Sequence, residues 1–243
     1  MPTQLPPTLR IGAILTREDP RDALVMKLSL PQYKTLASLP AGFIVGTSSV
    51  RRSAQIARIH PHLRVADVRG NVETRLRKLD DPDGEYACLI LAAAGLKRLG
   101  LGHRITQLLS RREGGLLHAV GQGALGIEVR EGDAGILRLL EPVRHERTTL
   151  ACLAERSLLR ALEGGCSVPI GVETSWEETG KLRMIAIVVS LDGRQSVEGE
   201  MTEEVATETA AEKFGLRLAG KLIDDGAGKI LKEITLNRDL VNA

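Results

Sequence analysis

Short apolar runs alternate with amphipathic stretches of helical period along the first hundred residues of the chain. The apolar runs predict strands at 9–15, 43–46, 63–68 and 86–91, and the amphipathic stretches predict helices at 50–59, 72–79 and 92–99. Prolines interrupt residues 17–41, which we predict to be irregular. Because strands and helices alternate with short connections, the pattern predicts an α/β unit built on a parallel sheet.

The pattern changes in the second half of the chain. Residues 119–130 are typical of a glycine-rich turn that leads into a strand. Apolar positions at helical spacing then predict a helix at 149–162. Apolar runs predict strands near 171–175, 182–190 and 196–201, and two helices follow near 203–224 and 227–236. The segment after residue 145 is therefore predicted to be a small α+β domain with an antiparallel sheet.

Charge and composition narrow the classes of function. The net charge of +2 divides into +7 for residues 1–144 and −5 for residues 145–243, which predicts two domains with an anion-attracting face on the first. Aromatic residues make up only 2% of the chain, which argues against a nucleic-acid binder. No run reaches the roughly 18 apolar residues of a membrane span, and no signal-peptide pattern opens the sequence. Three widely spaced cysteines form no disulfide framework, so we expect a cytoplasmic protein.

Arginines follow the predicted strand ends of the first domain. Ligands of parallel α/β sheets bind beyond the carboxyl ends of the strands, where helix N-termini attract anions and guanidinium groups grip carboxylates or phosphates. Residues 51–78 hold eight basic and only two acidic residues. The pattern predicts a small polyanionic ligand that is held in a cleft by Arg51, Arg52, Arg69 and Arg75. Arg98 is a weaker candidate, because it lies two helical turns beyond the end of its strand.

Other interpretations of the basic residues stay open. Arg58, Arg77 and Lys78 are better explained as a solvated helix face, and the spacing of Arg98 agrees with either interpretation. Phosphate competes with carboxylate as the ligand, because the turn at 46–49 could hold either. It is not a P-loop, since no Gly-Lys-Ser/Thr follows.

The three cysteines differ in their surroundings. Cys88 lies in an apolar strand and Cys152 on the apolar stripe of a helix, so both are predicted to pack in the core. Cys166 follows two glycines and precedes a Val-Pro step, which predicts an exposed loop. The local sequence supports a structural thiol and a reactive thiol equally. The histidines show no pairing with it, and no metal-ligand spacing occurs.

Five segments match one family in the right order: VGTSSVRR at 45–52, VRGNVETRL at 68–76, AAAGLKR at 92–98, VGQGA at 120–124 and LEGGC at 162–166. Through these motifs, and over about residues 2–233, the chain resembles the porphobilinogen deaminases, also called hydroxymethylbilane synthases. The resemblance implies a transferase of haem and tetrapyrrole biosynthesis. Such enzymes condense four porphobilinogen units head to tail, with loss of ammonia, into hydroxymethylbilane.

The resemblance also implies a cofactor and a set of site residues. A dipyrromethane would be bound through a thioether to Cys166, and each pyrrole would bring an acetate and a propionate. The residues implied to contact the cofactor are Ser48, Ser49, Arg51, Arg52 and Arg75. Those implied to contact porphobilinogen or the growing chain are Arg69, Gly70, Asn71, Arg98 and Gln122. A monomer that needs no metal, nucleic acid or membrane is expected.

The family fold has three domains, two of them of the periplasmic-binding-protein type II. The resemblance assigns residues 13–117 to domain 2 and residues 145–243 to domain 3. Residues 1–12 and 118–144 are assigned to a remnant of domain 1, which is otherwise expected to be missing. We expect that remnant to be poorly ordered or to lower the solubility of the chain, and a single sharp unfolding transition in a monodisperse sample would contradict this.

The family's N-terminal segment ends in a His-Ser-x-Lys-Asp-x-Pro motif whose aspartate is the catalytic acid and base. By the resemblance that aspartate falls immediately before Met1, so we expect this chain to be inactive. A start assigned at an internal methionine or a shortened isoform would each explain this. The alternative function is a non-catalytic anion-binding module of the periplasmic-binding-protein type.

Overall fold

The computed structural model describes residues 5–162 and 168–242, with side chains described as far as residue 235. In these residues the strands are β1 Leu9–Ile14, β2 Asp22–Met26, β3 Ile44–Gly46, β4 Arg64–Ala66, β5 Tyr86–Ala92, β6 Gln107–Leu109, β7 Gly126–Arg130, β8 Ile170–Trp176, β9 Leu182–Val189 and β10 Ser196–Glu203. The helices are α1 Val50–Ile59, α2 Val72–Asp80, α3 Ala93–Arg98, α4 Ala134–Leu140, α5 Glu146–Ala161, α6 Glu208–Leu222 and α7 Gly228–Asn242.

A five-stranded sheet in the order β4-β3-β5-β2-β6 forms the first unit. Strand β3 is parallel to β4 and β5, which confirms the predicted parallel arrangement for these three strands. Strand β2 is antiparallel to both of its neighbours, so the sheet is mixed. Side chains of α1 pack on one face, and side chains of α2 and α3 pack on the other.

Strand β2 corrects the prediction that residues 17–41 are irregular. All five of its residues are buried. Successive side chains enter the cores on opposite faces of the sheet, with Ala23 and Val25 on one face and Leu24 and Met26 on the other. A strand buried on both faces shows no alternation of polar and apolar residues, and the flanking prolines hid it further. The short strand β6 was missed as well.

The second unit is the predicted α+β arrangement. Strands β8, β9 and β10 form an antiparallel sheet. Alternate residues of β9, including Met184, Ala186 and Val188, belong to the core that contains residues of α5, α6 and α7. Ile185 and Ile187 face the other way and pack with Ala54 of α1. Helix α1 therefore contributes to the cores of both units.

Strands β1 and β7 pair antiparallel as a two-stranded sheet, which confirms both predicted strands. Helix α4 packs against β1. The segment between β1 and β2 then carries the chain past α5, where the backbone nitrogen of Arg17 donates to the Thr148 hydroxyl. No helix among the described residues is both long and apolar enough to cross a membrane.

Candidate functional site

The first turn of α1 begins where β3 ends. Ser49 is the N-cap of the helix, and its hydroxyl accepts a hydrogen bond from the backbone nitrogen of Arg52. The exposed Ser48 donates its hydroxyl to the carbonyl of Val68. That hydrogen bond joins the turn after β3 to the turn after β4. The predicted helix start is confirmed, and the turns after β3 and β4 lie side by side.

Arg51 and Arg52 are buried, and both form ion pairs with Asp22. Arg51 Nη1 lies 2.7 Å from Asp22 Oδ2, and Arg52 Nη2 lies 2.7 Å from Asp22 Oδ1. Asp22 itself is 0% exposed. Burial alone would raise the pKa of its carboxyl, but the two guanidinium groups hold that pKa well below the usual range. Arg51 and Arg52 are thus held by a carboxylate of the chain itself, and their predicted contact with a cofactor stays a prediction.

Gln122 completes this buried cluster. Its side-chain nitrogen donates to Asp22 Oδ1 at 2.9 Å and to the carbonyl of Pro20 at 2.7 Å. Its side-chain oxygen lies 3.5 Å from Arg51 Nη2. The glycine-rich turn that follows residue 119 is therefore held against the same carboxylate as the two arginines. The structure brings three predicted site residues together through one residue, Asp22, that sequence reasoning missed.

The turn after β4 is open to solvent. Gly70 has a φ of 118°, and a Cβ there would lie 2.9 Å from the Thr74 side chain, so glycine is required. Asn71 caps α2 by accepting from the backbone nitrogen of Thr74 at 2.9 Å. Arg75 Nε donates to the carbonyl of Gly70 at 2.8 Å, and Arg69, whose side chain is 83% exposed, pairs with Asp67. Within the described chain the Arg75 guanidinium forms no ion pair, so its remaining N–H groups are available to an anion.

Arg98 joins the end of α3 to the glycine turn. Its guanidinium donates to the carbonyl of Gly123 at 2.6 Å. Gly123 has a φ of 83°, and a Cβ there would lie 2.5 Å from the Glu18 carbonyl oxygen, so this turn also requires glycine. Lys97, which precedes Arg98 in the sequence, forms ion pairs with Glu18 and Asp19. The predicted arginines therefore all follow β3, β4 or β5, three parallel strands whose carboxyl ends lie at one edge of the five-stranded sheet.

A second buried ion pair supports the glycine turn from the other side. Arg17 contacts the two carboxylate oxygens of Glu155 at 2.6 and 3.0 Å, and Arg17 Nε donates to the Gln122 carbonyl at 2.9 Å. Glu155 Oε2 also accepts from the backbone nitrogen of Gly121 at 2.7 Å. Sequence reasoning missed this pair too. One signal in the sequence was available: Glu155 follows Ala154 on the part of α5 that is buried. Charged residues are rarely buried without a partner, so a glutamate at such a position indicates a buried ion pair.

The prediction that Cys88 and Cys152 are packing residues is confirmed. They are 0% and 2% exposed, and burial raises the pKa of both thiols to about 12. Neither is a nucleophile at neutral pH. Cys166 lies outside the described residues, so its predicted exposure stays a prediction.

Stability is expected to fall in acid because of the carboxylates around the site. Burial raises the pKa of Asp19, but hydrogen bonds and charge from Arg21, with charge from Lys97, lower it to about 2 from an ordinary 3.8. A pKa that is lower in the folded state contributes stability above the unfolded value, and that contribution is lost as the pH falls from about 4 to about 2. Urea unfolding across this range measures the loss. The free energy of unfolding should fall less steeply with decreasing pH in Asp19→Asn than in the wild type. An equal dependence on pH in both proteins would contradict the low pKa of Asp19.

Two sequence profiles match the chain. The profile described as "Porphobilinogen deaminase, dipyromethane cofactor binding domain" matches residues 1–138, and the profile described as "Porphobilinogen deaminase, C-terminal domain" matches residues 149–224. The first match includes every predicted arginine, together with Asp22 and Gln122. The second includes the antiparallel sheet and α6.

Curated relatives named porphobilinogen deaminase are similar over nearly the whole chain. The Yarrowia lipolytica protein is 58% identical over 236 residues, covering 97% of this chain and 69% of the relative. The Saccharomyces cerevisiae protein is 52% identical over 242 residues, covering 98% and 72%. The Synechococcus protein is 53% identical over 234 residues, covering 96% and 71%. With the profile matches, these identities show that the chain belongs to the porphobilinogen deaminase family, which are transferases, and includes that family's dipyrromethane cofactor-binding domain.

Proposed function

We propose that this chain is the cofactor-binding part of a hydroxymethylbilane synthase, and that it binds a dipyrromethane, linked to Cys166, at the arginine-lined edge of the five-stranded sheet. The observation that carries the proposal is the set of guanidinium groups around that edge. Arg75 and Arg69 have free N–H groups there, and Arg98 adjoins the glycine turn. A carboxylate-rich pyrrole chain is the ligand for which such a donor set is suited.

The buried part of the site is also suited to a carboxylate ligand. Arg51 Nε is buried and has no hydrogen-bond partner among the described residues. A buried donor without a partner costs free energy comparable to a lost hydrogen bond. A carboxylate oxygen would satisfy this nitrogen, next to the N-terminus of α1 that Ser49 caps, once a neighbouring side chain moves to admit it.

When bound, the dipyrromethane supplies the pyrrole carbon to which further units are added. The residues of this chain would act by binding and orienting. The guanidinium groups of Arg69, Arg75 and Arg98 would hold acetate and propionate carboxylates, and Gln122 would line the cleft between them. Cys166 would hold the group by a thioether from its sulfur to the aminomethyl carbon of the first porphobilinogen, and a second porphobilinogen would be added to that pyrrole. Each addition would break one carbon–nitrogen bond, and the amino group would leave as ammonia with the proton from the thiol or from the pyrrole carbon.

The intact mass of the chain after incubation with porphobilinogen or hydroxymethylbilane tests the proposal. We expect a covalent pyrrole adduct, its complete loss in Cys166→Ser, and its retention in Cys152→Ser. Arg75→Gln should reduce loading by about 10-fold, the effect of one charge-assisted hydrogen bond. Arg77→Gln, on the exposed face of the same helix, is the matched control and should load normally. An unmodified wild-type mass would favour the anion-binding module instead.

Conversion of porphobilinogen is a separate readout of the same sample. The expectation that this chain alone is inactive stays a prediction, and measurable conversion would contradict it. Three further features belong to the proposal: the periplasmic-binding-protein type of the five-stranded unit, a monomeric state and a cytoplasmic location. The first is supported by the position of the arginines at the carboxyl ends of β3 and β4, where ligands of such sheets bind.

A further inference from the structure

Asp22 is the fully buried residue on which the two buried arginines and Gln122 converge. We propose that Asp22 is a positioning residue for ligand binding: its carboxylate fixes Arg51, Arg52 and Gln122 in one arrangement where β3 ends and α1 begins. The inference rests on the proposed function and deepens it. It concerns a residue that contacts the binding side chains and not the ligand itself.

The hydrogen bonds of the Asp22 carboxylate leave little freedom to its partners. Oδ1 accepts from Arg52 Nε at 3.0 Å, from Arg52 Nη2 at 2.7 Å and from Gln122 Nε2 at 2.9 Å. Oδ2 accepts from Arg51 Nη1 at 2.7 Å. Each guanidinium is also fixed by a backbone carbonyl, Arg51 by that of Leu117 and Arg52 by that of Ile90. The plane of each group is therefore set by two different elements of the fold.

The position of Asp22 is itself fixed by the sheet. It is the first residue of β2, where it pairs with Ala92 of β5 on one side and Leu109 of β6 on the other. A binding group supported by a strand inside a sheet is held more firmly than one on a loop. The carboxylate is therefore a rigid reference point for the first turn of α1 and for the glycine turn, two segments that are far apart in the sequence.

The charges explain why a carboxylate is needed here. Arg51 and Arg52 are adjacent in sequence and both buried, so their positive charges repel at short range in a medium of low dielectric constant. Asp22 compensates one of the two charges and leaves the cluster with a net positive charge for an anionic ligand. Each guanidinium has five N–H groups. Asp22 occupies some of the donors of each arginine and leaves others unused, including Arg51 Nε, which has no hydrogen-bond partner among the described residues.

Two measurements on Asp22→Asn test the inference. The first is modification of arginines by phenylglyoxal, mapped by peptide mass, which reports whether Arg51 and Arg52 are still held. We expect both to be protected in the wild type and modified about 10-fold faster in the variant, the loss expected of a charged hydrogen bond. The second is the porphobilinogen concentration at half-maximal loading of Cys166, which should rise about 10-fold or more.

Asp80→Asn is the matched control. Asp80 forms a two-point ion pair with Arg104 at 2.8 and 3.0 Å, in the same unit but at the end of α2 instead of on β2. We expect the folded fraction of Asp80→Asn to reach half-maximal loading at the same porphobilinogen concentration as the wild type. A variant of Asp22 that only loses stability should behave in the same way. If Asp22→Asn does not fold, Asp22→Glu keeps the charge, displaces the carboxylate by one methylene and is expected to shift both readouts in the same direction.

The outcomes separate this inference from the proposed function. A wild-type chain that gains no mass contradicts the proposed function, and the modification of Arg51 and Arg52 then tests by itself whether Asp22 holds them. A wild-type chain that loads, with Asp22 variants that load at the same concentration, contradicts only the present inference. Unchanged protection of Arg51 and Arg52 in a folded Asp22→Asn variant contradicts it as well.

Discussion

Replacing Glu155 with alanine is expected to lower the free energy of unfolding by about 3–5 kcal/mol, the cost of removing one partner of a buried ion pair. Glu155 is completely buried, and the variant leaves the guanidinium of Arg17 without its counter-charge. It also removes the acceptor for the Gly121 backbone nitrogen and for the Thr174 hydroxyl. Chemical denaturation of the wild type and the variant measures the difference.

Two further variants make this prediction specific. Glu212 of α6 pairs with Arg160 on the surface, with both side chains partly exposed, so Glu212→Ala should cost no more than about 1 kcal/mol. A double variant, Arg17→Met with Glu155→Leu, leaves no uncompensated charge and should lose less stability than Glu155→Ala. A Glu155→Ala variant as stable as Glu212→Ala would show that the buried pair contributes little.

Alanine at Gly215 is expected to destabilise the second unit by about 1–3 kcal/mol, because it overpacks the contact between α5 and α6. A Cβ at this position would lie 2.2 Å from the Ala154 carbonyl oxygen and 2.9 Å from the Leu158 nitrogen. Both atoms are backbone, so only a displacement of one helix can relieve the clash. The expected loss exceeds the gain in helix propensity that alanine brings to a helical glycine position.

Gly220 provides the matched control within the same helix. A Cβ there meets no atom within 4 Å, so Gly220→Ala should stabilise the chain by up to about 1 kcal/mol. We therefore expect the midpoint temperature of thermal unfolding to fall in Gly215→Ala and to rise in Gly220→Ala. If Gly215→Ala were also stabilising, the close approach of α5 and α6 would be wrong.

Local signals in the sequence predicted the elements around the site. The cap residues Ser49 and Asn71 marked the starts of α1 and α2 correctly, because an N-cap is determined by residues adjacent in sequence. The period of apolar residues gave most helices and most strands. It failed at β2, where burial on both faces removes the alternation on which the prediction depends.

Local signals in the sequence could not identify which charged groups pair at the site. Arg17 and Glu155 are 138 positions apart in the chain, and Asp22 is 29 positions from Arg51. Periodicity reports which face of an element is buried, and it says nothing of which charged group on another element meets that face. The arginines were therefore identified as a group, whereas the carboxylate that holds two of them in place was found only in the fold.

Helix α1 belongs to two hydrophobic cores, through Ile56 toward the five-stranded sheet and through Ala54 toward β9. Neither sheet can detach without exposing side chains that α1 buries against it, so the stabilities of the two units are thermodynamically coupled. An anion bound at the first turn of α1 favours the folded state by mass action. Through this shared helix, the bound anion should protect the C-terminal sheet from proteolysis as well as the five-stranded sheet.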